Sequence, residues 1–215
     1  FDEHLPPAGR RRLCRRLESW WERCLDENLQ PLIRVRDADL SGPSRGITFQ
    51  LCEGLGTLPR SKVKEQIDAL NHDERRRFRE MGIVIGRESV LIPGLLKPAA
   101  VRIRAMLWSL WNGTAGRVSV PVDDTPVDFL NAVGYRPLGR LAIRTDMLER
   151  LAATAWSRAE KEPFAINPDL LSLAGCGVED MDSILKKLGF SPVPAIDQAD
   201  LYIPSFKARK RKKSG

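Results

Sequence analysis

Residues 92–113 read Ile-Pro-Gly-Leu-Leu-Lys-Pro-Ala-Ala-Val-Arg-Ile-Arg-Ala-Met-Leu-Trp-Ser-Leu-Trp-Asn-Gly, and what this run becomes decides the fold. Two tryptophans, three basic residues and two prolines suit a nucleic-acid platform, a membrane segment or a core helix. On a helix from Pro98 to Asn112, turning about 100° per residue, Ile103, Met106, Leu107, Leu110 and Trp111 fill one wide arc. Val101, Ala105 and Trp108 form a second, and only Arg102 and Ser109 share a polar strip. A helix apolar nearly all round is expected to be central and buried. At about 1.5 Å per residue it is too short to span a bilayer, and Arg102 and Arg104 would sit in lipid. Tryptophans spaced helically among Leu and Ile are core residues far more often than base-stacking platforms. The run is expected to be the hub on which its neighbours pack.

Upstream, residues 10–36 carry Leu13, Leu17, Trp20, Cys24 and Leu32 on one side, which predicts an amphipathic helix with one buried stripe. Pro31 either kinks it or starts a second helix. Pro43 suits a first helical turn, with Ile47, Leu51 and Leu55 on one face. Gly54 and Gly56 loosen that helix, and Pro59 restarts it with Val63, Ile67 and Leu70 as the next stripe. Asn71 with Glu74 three residues on reads as a capping box for a short helix that carries Phe78 and Met81 and ends at Gly82. Ile83 to Ile92 is the first β signal, two short runs around a turn.

Downstream, Val118-Ser-Val-Pro-Val is an edge-strand candidate because of Pro121. Thr125-Pro126 caps a short helix through Val133, Arg140 to Arg144 reads as a strand, and Thr145 caps a helix carrying Met147, Leu148, Leu151 and Ala155. Helices from Asp169 to Ala174 and from Val178 to Leu188, joined by Gly175-Cys-Gly177, match a helix-turn-helix outline, with the residues after Phe190 in the place of a wing. A recognition helix offers its N-terminal residues to the groove, and here those are Glu179, Asp180 and Asp182, which repel phosphate. A structural or protein-binding pair is expected. The fold class is mainly α, of the α+β kind. Residues 1–116 form a helical bundle with a β-hairpin near 83–92, residues 117–204 a small α/β and helix-turn-helix-like module, and residues 205–215 a basic flexible tail.

Hydrophobic residues at 42% and charged residues at 29% are ordinary globular values. Cys14, Cys24, Cys52 and Cys176 form no CxxC pair, and with only two histidines a zinc site is not expected; they read as small buried hydrophobes in a reduced compartment. No apolar run reaches the roughly 18 residues of a membrane span and no signal peptide opens the chain, so a cytoplasmic protein without a membrane partner is expected. The start at Phe1 rather than Met reads as a fragment or a processed product. Of the net charge of +7, six units lie in Lys207, Arg209, Lys210, Arg211, Lys212 and Lys213, so the body is nearly neutral.

Catalytic motifs are missing. Nothing fits the P-loop pattern that cradles phosphates, the G-x-S-x-G elbow, the H-E-x-x-H pair or a DxD metal loop. Asp123-Asp124 and Glu179-Asp180 read as a solvated turn and as helix N-terminal charges. What remains is electrostatic: Arg10, Arg11, Arg12, Arg15 and Arg16 open the first helix and the lysine and arginine tail closes the chain. Such runs bind polyanions through counterion release without reading sequence. The arginine cluster can also pair with Glu18, Glu22, Asp26 and Glu27 on its own helix.

Four blocks together carry a family likeness. They are Gly46-Ile-Thr-Phe-Gln-Leu-Cys-Glu-Gly-Leu-Gly-Thr-Leu; Gly82-Ile-Val-Ile-Gly-Arg through Pro93-Gly-Leu-Leu-Lys-Pro-Ala to Leu107-Trp-Ser-Leu; Val120-Pro-Val with Gly134-Tyr-Arg and Arg144-Thr-Asp-Met-Leu-Glu-Arg-Leu; and Leu171-Ser-Leu-Ala-Gly-Cys-Gly-Val-Glu-Asp-Met through Leu188-Gly-Phe. In order and spacing, over about residues 40 to 192, they resemble the C-terminal region of alphaproteobacterial DExH-box helicases related to the RNA helicase of the mitochondrial degradosome. The resemblance implies a mainly helical accessory region that packs on upstream RecA-like domains and helps line the path of a single strand. ATP and Mg would bind those upstream domains, and no cofactor or ATP-site residue is carried onto this chain. The expected ligand is RNA or another nucleic acid, met by the basic ends and by Arg87, Lys97 and Arg102. The alternative is a non-enzymatic protein-interaction scaffold or a subunit of a ribonucleoprotein assembly.

Overall fold

The computed structural model describes residues 6–113, 125–195 and 198–206. The strand expected at 118–122, the Asp123-Asp124 turn and the basic tail from Lys207 onward lie outside the described residues. The protein is mainly α-helical, with three small antiparallel sheets among the described residues.

Helix α1 (Pro7–Arg36) runs 30 residues, and Pro31 neither ends nor divides it. Its buried side chains are Leu29, Leu32 and Val35, all in the last two turns. Leu13, Leu17 and Trp20 are exposed, so the expected buried stripe holds only at its C-terminal end. Periodicity marks an apolar face, and here the described residues fill only part of it. Helix α2 (Gly42–Glu53) sets Ile47 and Leu51 into the same core. Strand β1 (Thr57–Pro59), a 3-10 turn at Arg60–Val63 and helix α3 (Lys64–Ala69) follow. Helix α4 (His72–Glu80) starts at the expected capping box: the Glu74 amide donates to Asn71 Oδ1, and the Asn71 amide donates to Glu74 Oε2, each at 2.9 Å. Glu74 Oε1 accepts the Ser44 hydroxyl at 2.7 Å, so the cap also ties α4 to α2.

Strands β2 (Val84–Ile85) and β3 (Ser89–Leu91) form the expected hairpin. A third strand, unforeseen, completes the sheet in the order β1-β3-β2, with Leu58 opposite Val90. After a 3-10 turn at Pro93–Leu96, helix α5 (Pro98–Trp111) closes the first module. The expectation for this hub is half overturned. Ile103 and Leu107 pack on the core, but Met106, Leu110 and Trp111 are exposed, Trp111 by 90%. The fully buried side chains are Ala100, Arg104 and Ser109, so part of the expected polar strip faces inward.

The second module begins with helix α6 (Val127–Ala132) and the hairpin of β4 (Tyr135–Leu138) and β5 (Leu141–Arg144), in which Tyr135 faces Arg144. Helix α7 (Thr145–Lys161) buries Leu148, Leu151, Ala152 and Ala155. Thr145 is its first residue rather than its cap, and its hydroxyl donates to the Gly134 carbonyl at 2.8 Å. Strand β6 (Phe164–Ala165), helix α8 (Pro168–Ala174) and helix α9 (Val178–Lys187) follow, with Asn167 capping α8 through the Leu170 amide at 3.1 Å. Strands β7 (Phe190–Ala195) and β8 (Gln198–Pro204) occupy the wing position, but they join β6 in a sheet ordered β6-β8-β7. Phe164 and Phe190 meet edge to face at 5.4 Å beneath α7 and α9, whose Met181, Ile184 and Leu185 share that core. The Tyr202 hydroxyl donates to Asp182 at 2.7 Å and fixes the sheet to α9.

All four cysteines are free and half-buried, not fully buried as expected. Among the described residues no helix is long and apolar enough to cross a membrane, and no group of three or more potential metal ligands is present.

Candidate nucleic-acid interface

The two modules meet along a polar seam. At its centre is Arg104, fully buried on α5. One guanidinium nitrogen donates to the Leu95 carbonyl at 3.0 Å and another to the Thr57 hydroxyl at 3.1 Å. Thr57 passes the link on by donating to the Asn131 carbonyl of α6. Arg104 Nε has no hydrogen-bond partner among the described residues, and burial brings the guanidinium's pKa down to about 9. Gly134, with φ of +89°, lets the second module approach: a Cβ there would stand 2.3 Å from Leu96 and 3.3 Å from Arg104 Nη1. A buried arginine costs desolvation, so its fixed hydrogen bonds make it a joint that specifies one docking geometry.

At the other end, the Glu149 carboxylate of α7 accepts the backbone amides of Arg87 (2.7 Å) and Glu88 (3.0 Å) in the β2–β3 turn. Gly86 makes room for it, since a Cβ there would lie 2.3 Å from that carboxyl. The Arg87 guanidinium lies 5.2 Å from the Trp156 ring centre and 3.8 Å from Glu160, so the turn is clasped by both its backbone and its side chain. Burial pushes the Glu149 carboxyl above its ordinary pKa, against the pull of the donated amides. It does the same to Glu88, helped by the Glu149 charge and opposed by Arg136, Arg60 and Arg87.

Beside this clasp opens a cleft of about 220 Å³ lined by Arg60, Ser61, Lys64, Arg87, Glu88 and Arg136. Each cation comes from a different element: Arg60 from the 3-10 turn, Lys64 from α3, Arg87 from the β2–β3 turn, Arg136 from β4. Arg60 is aimed by its own backbone and side chain. Its amide donates to the Glu88 carbonyl at 2.9 Å and its Nη1 to the Gly86 carbonyl at 2.6 Å. With Arg87 engaged by α7, Arg60, Lys64 and Arg136 line the opening, and Glu88 is the acidic residue of the lining among the described residues. A concave site of this size, with guanidinium and ammonium groups converging from several directions, suits one phosphate group with its sugar.

Of the expected residues that the structure describes, only Arg87 belongs to this cleft. Arg10, Arg11, Arg12, Arg15 and Arg16 are exposed on the first turns of α1, while Lys97 and Arg102 are exposed at the start of α5. The arginines of α1 are a separate basic surface, and the tail cations lie outside the described residues. Arg60, Lys64 and Arg136 carry no local signal, being single charges in separate segments joined only by the tertiary fold. The acidic start of α9 has Glu179 exposed and Asp180 half-buried, while its Met181, Ile184 and Leu185 are core. No family model, curated protein or solved structure matches the chain.

Proposed function

We propose that this chain is a nucleic-acid-binding accessory region that holds the backbone of single-stranded RNA at the seam cleft and through its basic ends. The observation that carries this reading is the convergence of Arg60, Lys64, Arg87 and Arg136 from four elements on one concave site. Phosphate contacts of this kind position a strand without reading bases. The four sequence blocks that resemble the C-terminal region of DExH-box RNA helicases supply the wider context. In it, an ATP-dependent motor of RecA-like domains would act beside this chain and hold ATP and Mg, in the cytoplasm. The chain itself would feed or retain the strand.

The test is binding of a fluorescent single-stranded RNA of mixed sequence to the full chain and to an Arg60→Ala/Lys64→Ala/Arg136→Ala variant. The variant should bind more weakly on every sequence tried, while Lys97→Ala/Arg102→Ala should change affinity less. Equal affinity of the triple variant and the parent would remove the cleft from the path. The second reading, a protein-interaction scaffold, is favoured by the exposed Leu110 and Trp111 at the end of α5. A chain that fails to bind RNA at low salt yet is retained by protein partners would support it.

A further inference from the structure

Helix α1 has an apolar face that the described residues leave open. From Pro7 to Cys24 it carries no buried residue, and Leu13, Leu17 and Trp20 lie on one side with 37, 44 and 53% of their surface exposed. Cys24 continues the row, half-buried. The spacings of four, three and four residues are those of a two-helix seam, in which such positions alternate as the knobs of a heptad. An isolated helix of this length draws most of its stability from packing an amphipathic face, so an open face of this pattern is built for another helix.

We infer that the occupant is a second copy of this chain, its α1 laid antiparallel along the first. Charge decides the orientation. Arg10, Arg11, Arg12, Arg15 and Arg16 make the first half of the exposed segment basic, whereas Glu18, Glu22, Asp26 and Glu27, with Arg23 alone opposing them, make the second half acidic. Parallel helices would set the arginine block beside its own copy; antiparallel helices set it beside the acidic block.

The apolar row fixes the register. With Leu17 opposite the partner's Trp20, Leu13 falls opposite the partner's Cys24. Arg10 then falls opposite the partner's Glu27 at each end, both being exposed in the single chain. The same register brings Arg16 beside the partner's Arg23 on the flank, a repulsion that keeps the pairing reversible. Eighteen residues give about 27 Å of contact, and a pair of such helices covers on the order of 1,000 Å², the low end for specific interfaces. An interface of this size suits a weak, reversible dimer. The inference stands apart from the RNA reading, since it uses neither the cleft nor the tail.

The experiment is sedimentation equilibrium of the full chain from low-micromolar to submillimolar concentration. The mass should climb from 24.2 kDa towards twice that value. Leu17→Ser/Trp20→Ser alters only exposed side chains and should leave a folded monomer, checked by a melting temperature equal to the parent's at concentrations too low for association. Arg10→Glu alone and Glu27→Arg alone should each weaken association by about tenfold, and the two together should restore it. Arg16→Glu should strengthen it, having gained the partner's Arg23. Three results overturn the inference: a wild-type chain that stays at 24.2 kDa throughout, a dimer that survives Leu17→Ser/Trp20→Ser, and charge reversals that fail to rescue one another.

Discussion

Replacing Gly86 by Ala should unlatch the two modules, although Gly86 does not itself reach across the seam. Its φ is not in the left-handed region, so alanine is allowed by the backbone, and the three atoms nearest the new Cβ all belong to the Glu149 carboxyl, the first at 2.3 Å. That carboxylate must leave, forfeiting the amides of Arg87 and Glu88 at 2.7 and 3.0 Å. Two hydrogen bonds to a charged group are worth about 1.5–3 kcal/mol each. Burial has raised the carboxyl's pKa, so desolvation takes part of this back, and water can reach the exposed Arg87 amide. A net loss of about 2 kcal/mol is expected, which lowers the melting temperature by about 4–8 °C for a chain of this size. Glu149→Ala should cost about the same for the same reason. In the Glu149→Ala background, Gly86→Ala has nothing left to collide with and should be neutral, or stabilising by up to about 1 kcal/mol through the unfolded chain. The double-mutant cycle, read by urea and thermal unfolding followed by circular dichroism, should therefore show a coupling of about 2 kcal/mol. Additive losses would mean that the methyl group damages something other than the clasp. Two neutral single variants would mean that the clasp contributes nothing.

Gly134→Ala combines a left-handed φ with a Cβ 2.3 Å from Leu96, and should destabilise by about 2–4 kcal/mol in urea unfolding, through that collision and the backbone strain. The raised carboxyls of Glu88 and Glu149 give stability that is complete below their ordinary pKa near 4.5 and is lost as pH rises through the raised values. Glu88→Gln/Glu149→Gln should flatten that decline in stability–pH profiles above pH 4.5. Removing the six cations of the tail, Lys207 to Lys213, should reduce the slope of log affinity against log salt for single-stranded RNA by about 4.

Local chemistry was legible in the sequence wherever a few adjacent residues settle the structure. The Asn71–Glu74 cap, the β2–β3 hairpin and the α8–α9 pair each follow from side chains and turn residues within one short window. Strand β1 was hidden because three residues ending in proline give no alternation to read, and its partner β3 lies 30 residues away. Burial was legible only as a face. The rows on α1 and α5 are apolar as read, yet Leu13, Leu17, Trp20, Leu110 and Trp111 are exposed, because periodicity does not say whether a neighbour covers the face. Arg104 shows the converse: a charge in a helical sequence suggests solvent, and only the tertiary fold supplies the Leu95 carbonyl and Thr57 hydroxyl that let it be buried. The cleft was illegible for the same reason, since Arg60, Lys64 and Arg136 are ordinary scattered cations until β1, α3 and β4 are folded together.

The seam cleft as a phosphate site is tested most directly by the salt dependence of RNA binding. Fluorescence anisotropy of a single-stranded oligonucleotide, titrated with the full chain and with Arg60→Ala/Lys64→Ala/Arg136→Ala across a range of potassium chloride, gives two slopes of log affinity against log salt. Loss of three phosphate-facing cations should make the variant's slope shallower by about 2, at about 0.7 per contact on a single strand. Parallel lines with equal slopes would contradict the account and leave RNA capture to the basic ends of the chain.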